Sequence, residues 1–366
     1  MKSIYRKLLI GFLVFFFTLN IIPNVLGKTR SLYLTDFIYS NEVQEQGFEN
    51  GLSDLNEVSY EATAYSLEIL RSYGKYAHDE TTLQTNLETV VTNMFNSDAV
   101  DLYDLYFVLR SLFIIDVDYS IEENLKERIF QYLNDSEQVG GGFSFENTTM
   151  VPTLSSTYFC VQIHSLIAPM KTLQNTSLHR DWILSNNHSD GGYGNSSSTI
   201  ITTYYTISLL DTLASIDNLQ NKDQTLSYLN SFYVNNPSDT DRVGGFLPDL
   251  TSKSPLLSST FYCAMAISLI NKTFLNSNQI TAWVLSRQYF KDGGFADLTG
   301  GDDQLSSSVF GSYFAFKTLK SFDPSLLKLA GEIWAVEFNY WILIIIMGSI
   351  GLIAIIGVVI WRRRRI

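Results

Sequence analysis

The chain has 366 residues, 25 of them basic and 37 acidic, with a formal charge of −12 at pH 7. An acidic balance of this size argues against nucleic acid and anionic lipid headgroups as partners. Two cysteines, Cys160 and Cys263, are too few for a disulfide scaffold or a cysteine-rich zinc module.

Residues 1–27 place Lys2, Arg6 and Lys7 before an apolar run from Leu8 to Ile22 and end on Val25-Leu26-Gly27. This order of charge, apolar stretch and small residue predicts a cleaved secretory signal peptide, an uncleaved signal anchor being the alternative. Either one sends the following residues across a membrane.

Residues 28–322 are enough for one large core, and they repeat. Glycine pairs followed by an aromatic recur at Gly141-Gly142-Phe143, Gly191-Gly192-Tyr193, Gly244-Gly245-Phe246 and Gly293-Gly294-Phe295, spaced by 50, 53 and 49 residues. A period of that length marks an array of supersecondary units. Each pair leads through a polar loop to a hydroxyl-rich, aromatic helix start: LSSTYFCVQIHSLI from Leu154, IITTYYTISLLDTL from Ile200, LSSTFYCAMAISLI from Leu257 and LSSSVFGSYFAFKTL from Leu305. Serine or threonine there suits an N-cap. Two degenerate copies stand upstream, SYEATAYSLEIL from Ser59 and DLYDLYFVLRSL from Asp101, which makes six.

A more polar helix precedes each copy. Leu83, Leu87, Val90, Val91 and Met94 form one apolar stripe, and Leu125, Ile129, Tyr132 and Leu133 form the next, with Ser120 and Glu123 read as a capping box. The remaining members fall near 29–44, 172–186, 221–234 and 276–290. The pattern predicts an all-α fold of six helical hairpins, the amphipathic helix outside and the apolar, aromatic helix inside. Closing six hairpins into a ring covers the apolar ends that an open solenoid leaves exposed. The glycine pair is expected to end each outer helix in left-handed backbone and turn the chain onto the inner one.

Beyond the repeats, Asp323-Pro324 predicts the start of a juxtamembrane helix or linker over 323–340. Residues 341–361 hold an uncharged run from Trp341 to Ile360, flanked by Tyr340 and Trp361, and residues 362–366 begin with four arginines. This predicts one transmembrane helix with a positive stop and a short basic cytoplasmic tail. The chain then reads as a type I single-pass protein of the cell membrane with its repeats extracytoplasmic. Six acceptor sequons, at Asn134, Asn147, Asn175, Asn187, Asn195 and Asn271, fit an exported glycoprotein.

The repeated unit, in KDGGFADLTGG and SDGGYGNSSSTIITTYYTISLL above all, resembles that of the terpenoid cyclase and protein prenyltransferase superfamily, and the resemblance covers residues 29–320. It implies an α6/α6 toroid. In protein prenyltransferases it also implies zinc, held by an Asp and a Cys two apart at one inner-helix start and a His at a later one. The matching starts here read Ser258-Ser259-Thr260-Phe261-Tyr262 and Ser306-Ser307-Ser308-Val309, which contain none of those ligands. Hydroxyls bind zinc poorly beside thiolate and imidazole, so no cofactor is expected. The acid motif of class II cyclases is likewise incomplete at Asp302-Asp303 and at Asp239-Thr240-Asp241. Cys160 and Cys263 hold equivalent places two inner helices apart and are expected to be free and buried.

The expected site is an aromatic cavity lined by Tyr65, Tyr106, Tyr158, Tyr204, Tyr262 and Tyr313. Glu61, Asp104, Glu146, Asp249, Asp302 and Asp303 are candidate carboxylates around its mouth, where the inner helices begin. The functional expectation is a membrane-anchored, prenyltransferase-like toroid that binds an apolar, isoprenoid- or lipid-like molecule or an extracellular protein. The alternative is an enzyme, either of the superfamily or a carbohydrate-active one using mouth carboxylates.

Overall fold

The computed structural model describes residues 28–51, 57–145, 151–169, 173–289, 291–297, 307–331 and 333–335. The signal peptide expected at 1–27, the membrane span at 341–361 and the tail at 362–366 lie outside these residues. Among the described residues no helix is long and apolar enough to cross a membrane.

The chain forms two compact units, Tyr33–Leu326 and a smaller one made of Met1–Leu32 with Leu327–Ile366. The larger unit holds six inner helices: α2 (Tyr60–Ser72), α4 (Leu102–Ile115), α6 (Leu154–Ile167), α8 (Ile200–Thr212), α10 (Leu257–Asn271) and α12 (Val309–Phe322). Each follows an outer partner: α1 (Arg30–Ser40), α3 (Glu80–Asn96), α5 (Glu123–Ser136), α7 (Thr176–Ser185), α9 (Lys222–Asn230) or α11 (Ser277–Ser286). The smaller unit carries the one-turn helix α13 (Leu327–Ala330) and pairs β1 (Lys28–Thr29) antiparallel with β4 (Ile333–Ala335). A two-residue ladder of β2 (Glu42–Val43) with β3 (Gly47–Phe48) belongs to the larger unit.

The all-α expectation holds, and the six hairpins close. Each inner helix packs on the next in sequence, and α12 packs back on α2. Most of the surface of an inner helix is apolar, because both neighbours and the outer layer must be met with apolar side chains. In α4, for example, Leu102, Leu105, Phe107, Val108, Leu109 and Leu112 are all buried, whereas α3 buries only the Leu83, Leu87 and Val91 stripe among its aliphatic side chains.

The glycine pairs do a different job from the expected one. The outer helices end several residues earlier, and the glycines lie in loops pinched by isolated bridges, Glu137 to Phe143, Asn187 to Tyr193, Tyr233 to Phe246 and Gln288 to Phe295. The first glycine of each pair has φ between +89° and +99°. A Cβ on it would come within 2.4–2.7 Å of a backbone carbonyl oxygen in the following outer helix: Leu178 for Gly141, Gln224 for Gly191 and Gln279 for Gly244. For Gly293 that carbonyl belongs to Tyr33 of α1. Each glycine loop is thus seated on the next hairpin, and the last is seated on the first.

The aromatic after the glycines is fully buried, and its N–H is satisfied from within. Phe48, Phe143, Tyr193 and Phe246 donate to Thr63, Thr157, Thr203 and Thr260 at 2.9–3.0 Å, and Phe295 donates to Ser312 at 2.9 Å. Those buried hydroxyls stand one turn inside the helices. The N-caps are separate residues: Ser59, Asp101, Thr153, Thr199 and Ser308. Helix α10 has Leu256 at that position and no side-chain cap of its own.

Two expected helix starts differ. Helix α5 begins after Glu122 without a side-chain cap, because Ile121 is buried and holds the preceding chain inward, so Ser120 and Glu123 form no box. Asp323 ends α12 instead of opening a long helix. Its carboxylate accepts from Ser325 N–H at 3.1 Å, Leu326 takes φ +53°, Leu327–Ala330 form one helical turn and Ile333–Ala335 a short strand.

Candidate functional site

Aromatic pairs on successive inner helices form a belt around the ring. Tyr158 stacks on Tyr205 with centroids 4.3 Å apart, Phe261 on Phe314 at 5.3 Å, and Tyr65 on Tyr313 at 3.6 Å. Between α4 and α6, Phe107 and Phe159 lie 6.3 Å apart and the adjacent Tyr106 and Tyr158 6.5 Å apart.

Inside the belt is a cavity of about 300 Å³. Tyr65, Tyr106, Tyr158, Tyr204, Tyr262 and Tyr313 all border it, one from each inner helix. It extends from Glu61 in the first turn of α2 to Thr212 at the end of α8, so it runs along the inner helices and not merely across their starts. Tyr103 and Tyr205 join the aromatic lining, and Gln162, Ser208 and Lys317 add polar groups farther along.

Of the six candidate carboxylates, Glu61 borders the cavity. Burial raises its carboxyl above the usual range, against the Tyr103 and Tyr65 hydroxyls and the Arg110 guanidinium, which favour the charged form. Tyr103 donates its hydroxyl hydrogen to Glu61. Asp104 and Asp249 do not border the cavity. Asp104 lies in the first turn of α4, its N–H capped by Asp101 at 2.9 Å, and burial with the Asp101 charge raises its carboxyl. Asp249 closes a turn on Ser252 and Thr251, whose hydroxyls and N–H groups hold its carboxyl down to about 2. Glu146, Asp302 and Asp303 lie outside the described residues.

The charged centre of the cavity is one that sequence reasoning passed over. Glu68 on α2 forms ion pairs with Arg110 of α4 and, at 2.6 Å, with Lys317 of α12. Tyr313 Oη accepts from Arg110 and donates to Glu68 at 3.2 Å. Burial alone would raise the Glu68 carboxyl; Arg110 and Lys317 together bring it down to about 2. The Arg110 guanidinium lies 5.3, 5.4 and 6.0 Å from the ring centroids of Tyr313, Tyr65 and Tyr106. The signal was periodic. Three or four residues after each cavity tyrosine stand Glu68, Arg110, Gln162, Ser208, Met265 and Lys317, the next positions on the same helix face. All but Glu68, which is paired with both cations, border the cavity.

Of the sequon asparagines, Asn134, Asn175, Asn187, Asn195 and Asn271 are exposed, and Asn147 lies outside the described residues. Asn195 also has a structural duty: its Oδ1 accepts from Leu154 N–H at 3.0 Å at the start of α6. Asp297 does the same for Leu257 of α10 at 2.6 Å, and Asn50 for Phe310 of α12 at 3.0 Å. Each acceptor comes from the loop of the following hairpin.

Among the described residues, no three His, Cys, Asp or Glu side chains come together to hold a metal ion. At the starts of α10 and α12, where the resemblance would put zinc, stand Thr260 and Ser312, whose hydroxyls already accept from Phe246 and Phe295. Cys160 and Cys263 are free and buried, and burial pushes both thiols up, away from the thiolate that a metal needs. These residues do not fit the zinc site of a transferase.

A closed ring of six helix pairs around an aromatic cavity defines an α/α toroid. The chain belongs to the prenyltransferase alpha-alpha toroid domain family, which matches residues 75–296. Among solved structures it is similar to protein geranylgeranyltransferase-I of Candida albicans complexed with GGPP, at 17% identity over 74% of this chain and 89% of that one, with a TM-score of 0.54. A type II terpene cyclase from Scytonema, in its apo form, is 13% identical over 82% of this chain and 96% of that one, with a TM-score of 0.49. No curated protein matches. At these identities the likeness is one of fold.

Proposed function

We propose that this protein is a binding toroid whose central cavity takes up an elongated, mainly apolar molecule of isoprenoid or lipid type, without zinc-dependent transfer chemistry. The observation that carries this reading is the convergence of one tyrosine from every inner helix on one cavity. Phenol rings offer a large apolar surface at little cost in side-chain freedom, and their hydroxyls orient what lies between them. The Candida albicans enzyme, whose fold is shared, holds GGPP in its structure. The reading also places the toroid outside the cytoplasm, tethered through 341–361, with exposed sequons available for glycans.

Acid–base catalysis by a pair of mouth carboxylates receives less support, since of Glu61, Asp104 and Asp249 only Glu61 borders the cavity. The test is native mass spectrometry of the full-length chain purified in maltoside micelles, with its metal content measured alongside. The expected result is a retained or added isoprenoid-sized molecule at one per chain and substoichiometric zinc. A chain that takes up no such molecule, or that carries one zinc per chain, would overturn the proposal.

A further inference from the structure

The charges that border the cavity are segregated along it. At the end where the inner helices begin stands Glu61: Tyr103 donates to it, the Tyr65 hydroxyl and the Arg110 guanidinium also favour its charge, and among the described residues no lysine or arginine forms an ion pair with it. Tyr65, Tyr205 and Tyr262 border the same space, and the phenols of Tyr205 and Tyr262 feel the Glu61 charge from the opposite side of the ring. A half-buried carboxylate among phenol rings is an environment that suits an ammonium group, above all one that cannot hydrogen-bond.

The other end has the opposite balance. Arg110 and Lys317 border the cavity, while the single carboxylate they share, Glu68, does not. Two cations against one anion leave net positive charge facing inward, and Lys317 is half-buried with only one of its three donors on Glu68.

The two ends stand at a defined separation. Helices α2 and α12 run side by side in the same direction, since Tyr65 meets Tyr313, Glu68 meets Lys317 and Ser72 meets Lys320. Glu61 lies four residues before the Tyr65 level and Lys317 four residues after the Tyr313 level, each about 6 Å of helix away. A purely cationic ligand would face the surplus at Arg110 and Lys317, and a purely anionic one would face Glu61.

Accepting that the cavity is a ligand site, we propose that its ligand carries a zwitterionic head, with the ammonium seated on Glu61 among Tyr65, Tyr103, Tyr205 and Tyr262 and the acid directed to Lys317 and Arg110. A phosphocholine or betaine group has this chemistry, either as a free metabolite or as a lipid headgroup.

Calorimetric titration of the full-length chain in maltoside micelles with phosphocholine, choline, inorganic phosphate and farnesol tests it. Phosphocholine is expected to bind at least tenfold more tightly than choline or phosphate alone. Glu61→Gln should weaken phosphocholine and choline about tenfold each, and farnesol by less than about twofold. Lys317→Met, which keeps the Arg110–Glu68 pair, should weaken phosphocholine and phosphate while sparing choline. A gain in affinity with dihexanoyl phosphatidylcholine would identify a lipid head, and equal affinity a free zwitterion. Phosphocholine that binds no better than its halves, or equally well to folded Glu61→Gln, overturns the inference. Farnesol binding without phosphocholine binding refutes the zwitterion and leaves the apolar site standing; binding of neither refutes both.

Discussion

Tyr65 and Tyr313 lie face to face across the seam of the ring, their centroids 3.6 Å apart and their planes within 3° of parallel. They are separated by almost the whole length of the toroid in sequence, so this stack exists only because the last inner helix returns to the first. A double-mutant cycle with Tyr65→Leu and Tyr313→Leu, measured by urea unfolding, should give a coupling of about 1 kcal/mol beyond the single costs. Additive effects would place the two rings apart.

The two glutamates of α2 should respond to pH with opposite signs. The Glu68 carboxyl, held down to about 2 in the fold, is lowered relative to an ordinary value near 4.3. Its contribution is complete above about pH 5 and is lost as pH falls from about 4.3 to about 2. Glu61 is raised, so the folded chain keeps its proton longer, and its ionisation removes stability as pH rises from the ordinary value through the raised one. At pH 7 Glu68→Gln should therefore destabilise by roughly 2–4 kcal/mol and flatten the acid limb. Glu61→Gln should be neutral or stabilising by up to about 1 kcal/mol. Thermal melts of both variants between pH 2 and pH 8 check the signs.

Gly293→Ala and Gly74→Ala separate two reasons for glycine. Both positions have positive φ, +89° and +66°, but a Cβ at Gly293 would lie 2.4 Å from the Tyr33 carbonyl oxygen, whereas nothing lies within 4 Å of one at Gly74. Gly74→Ala should cost about 1 kcal/mol, the backbone term alone. Gly293→Ala should cost roughly 2–3 kcal/mol or more, because α1 must move off the loop. Equal losses in denaturant midpoint would show that Gly293 serves only its own backbone.

Cys160 and Cys263 should be silent toward a thiol reagent in the native protein and react together on unfolding. Both are buried among apolar side chains, and burial raises both thiols, leaving almost no thiolate. A fast-reacting thiol in the folded chain, measured with Ellman's reagent at pH 8, would mean that an inner helix is open to solvent.

The hairpin count, the closure and the cavity tyrosines were legible because each follows from a repeat: one aromatic phrase per unit, and an inner helix too apolar to face water. Arg110, Glu68 and Lys317 were missed because a charge one turn beyond a tyrosine is informative only once that tyrosine is known to face the axis. The glycine pairs were misplaced for a related reason. Positive φ reads locally as a helix end, but here it is demanded by a carbonyl in the next hairpin, a contact between units that no single repeat displays. Asn195 reads as a sequon, while its place beside Asp297 and Asn50 as a cap for another unit's helix emerges only when the hairpins stand side by side. Asp323 carries the signature of a helix start yet closes the turn after α12, because its carboxylate accepts from Ser325 two residues on.

The most direct measurement is photo-crosslinking of the full-length chain with a diazirine-bearing farnesyl alcohol, followed by peptide mapping. Label concentrated on the peptides that carry Tyr158, Tyr205 and Tyr262, and competed away by unlabelled farnesol, is the expected result. Label on the outer groove near Tyr233 and Phe274, or spread over the surface without competition, would contradict a ligand site within the ring.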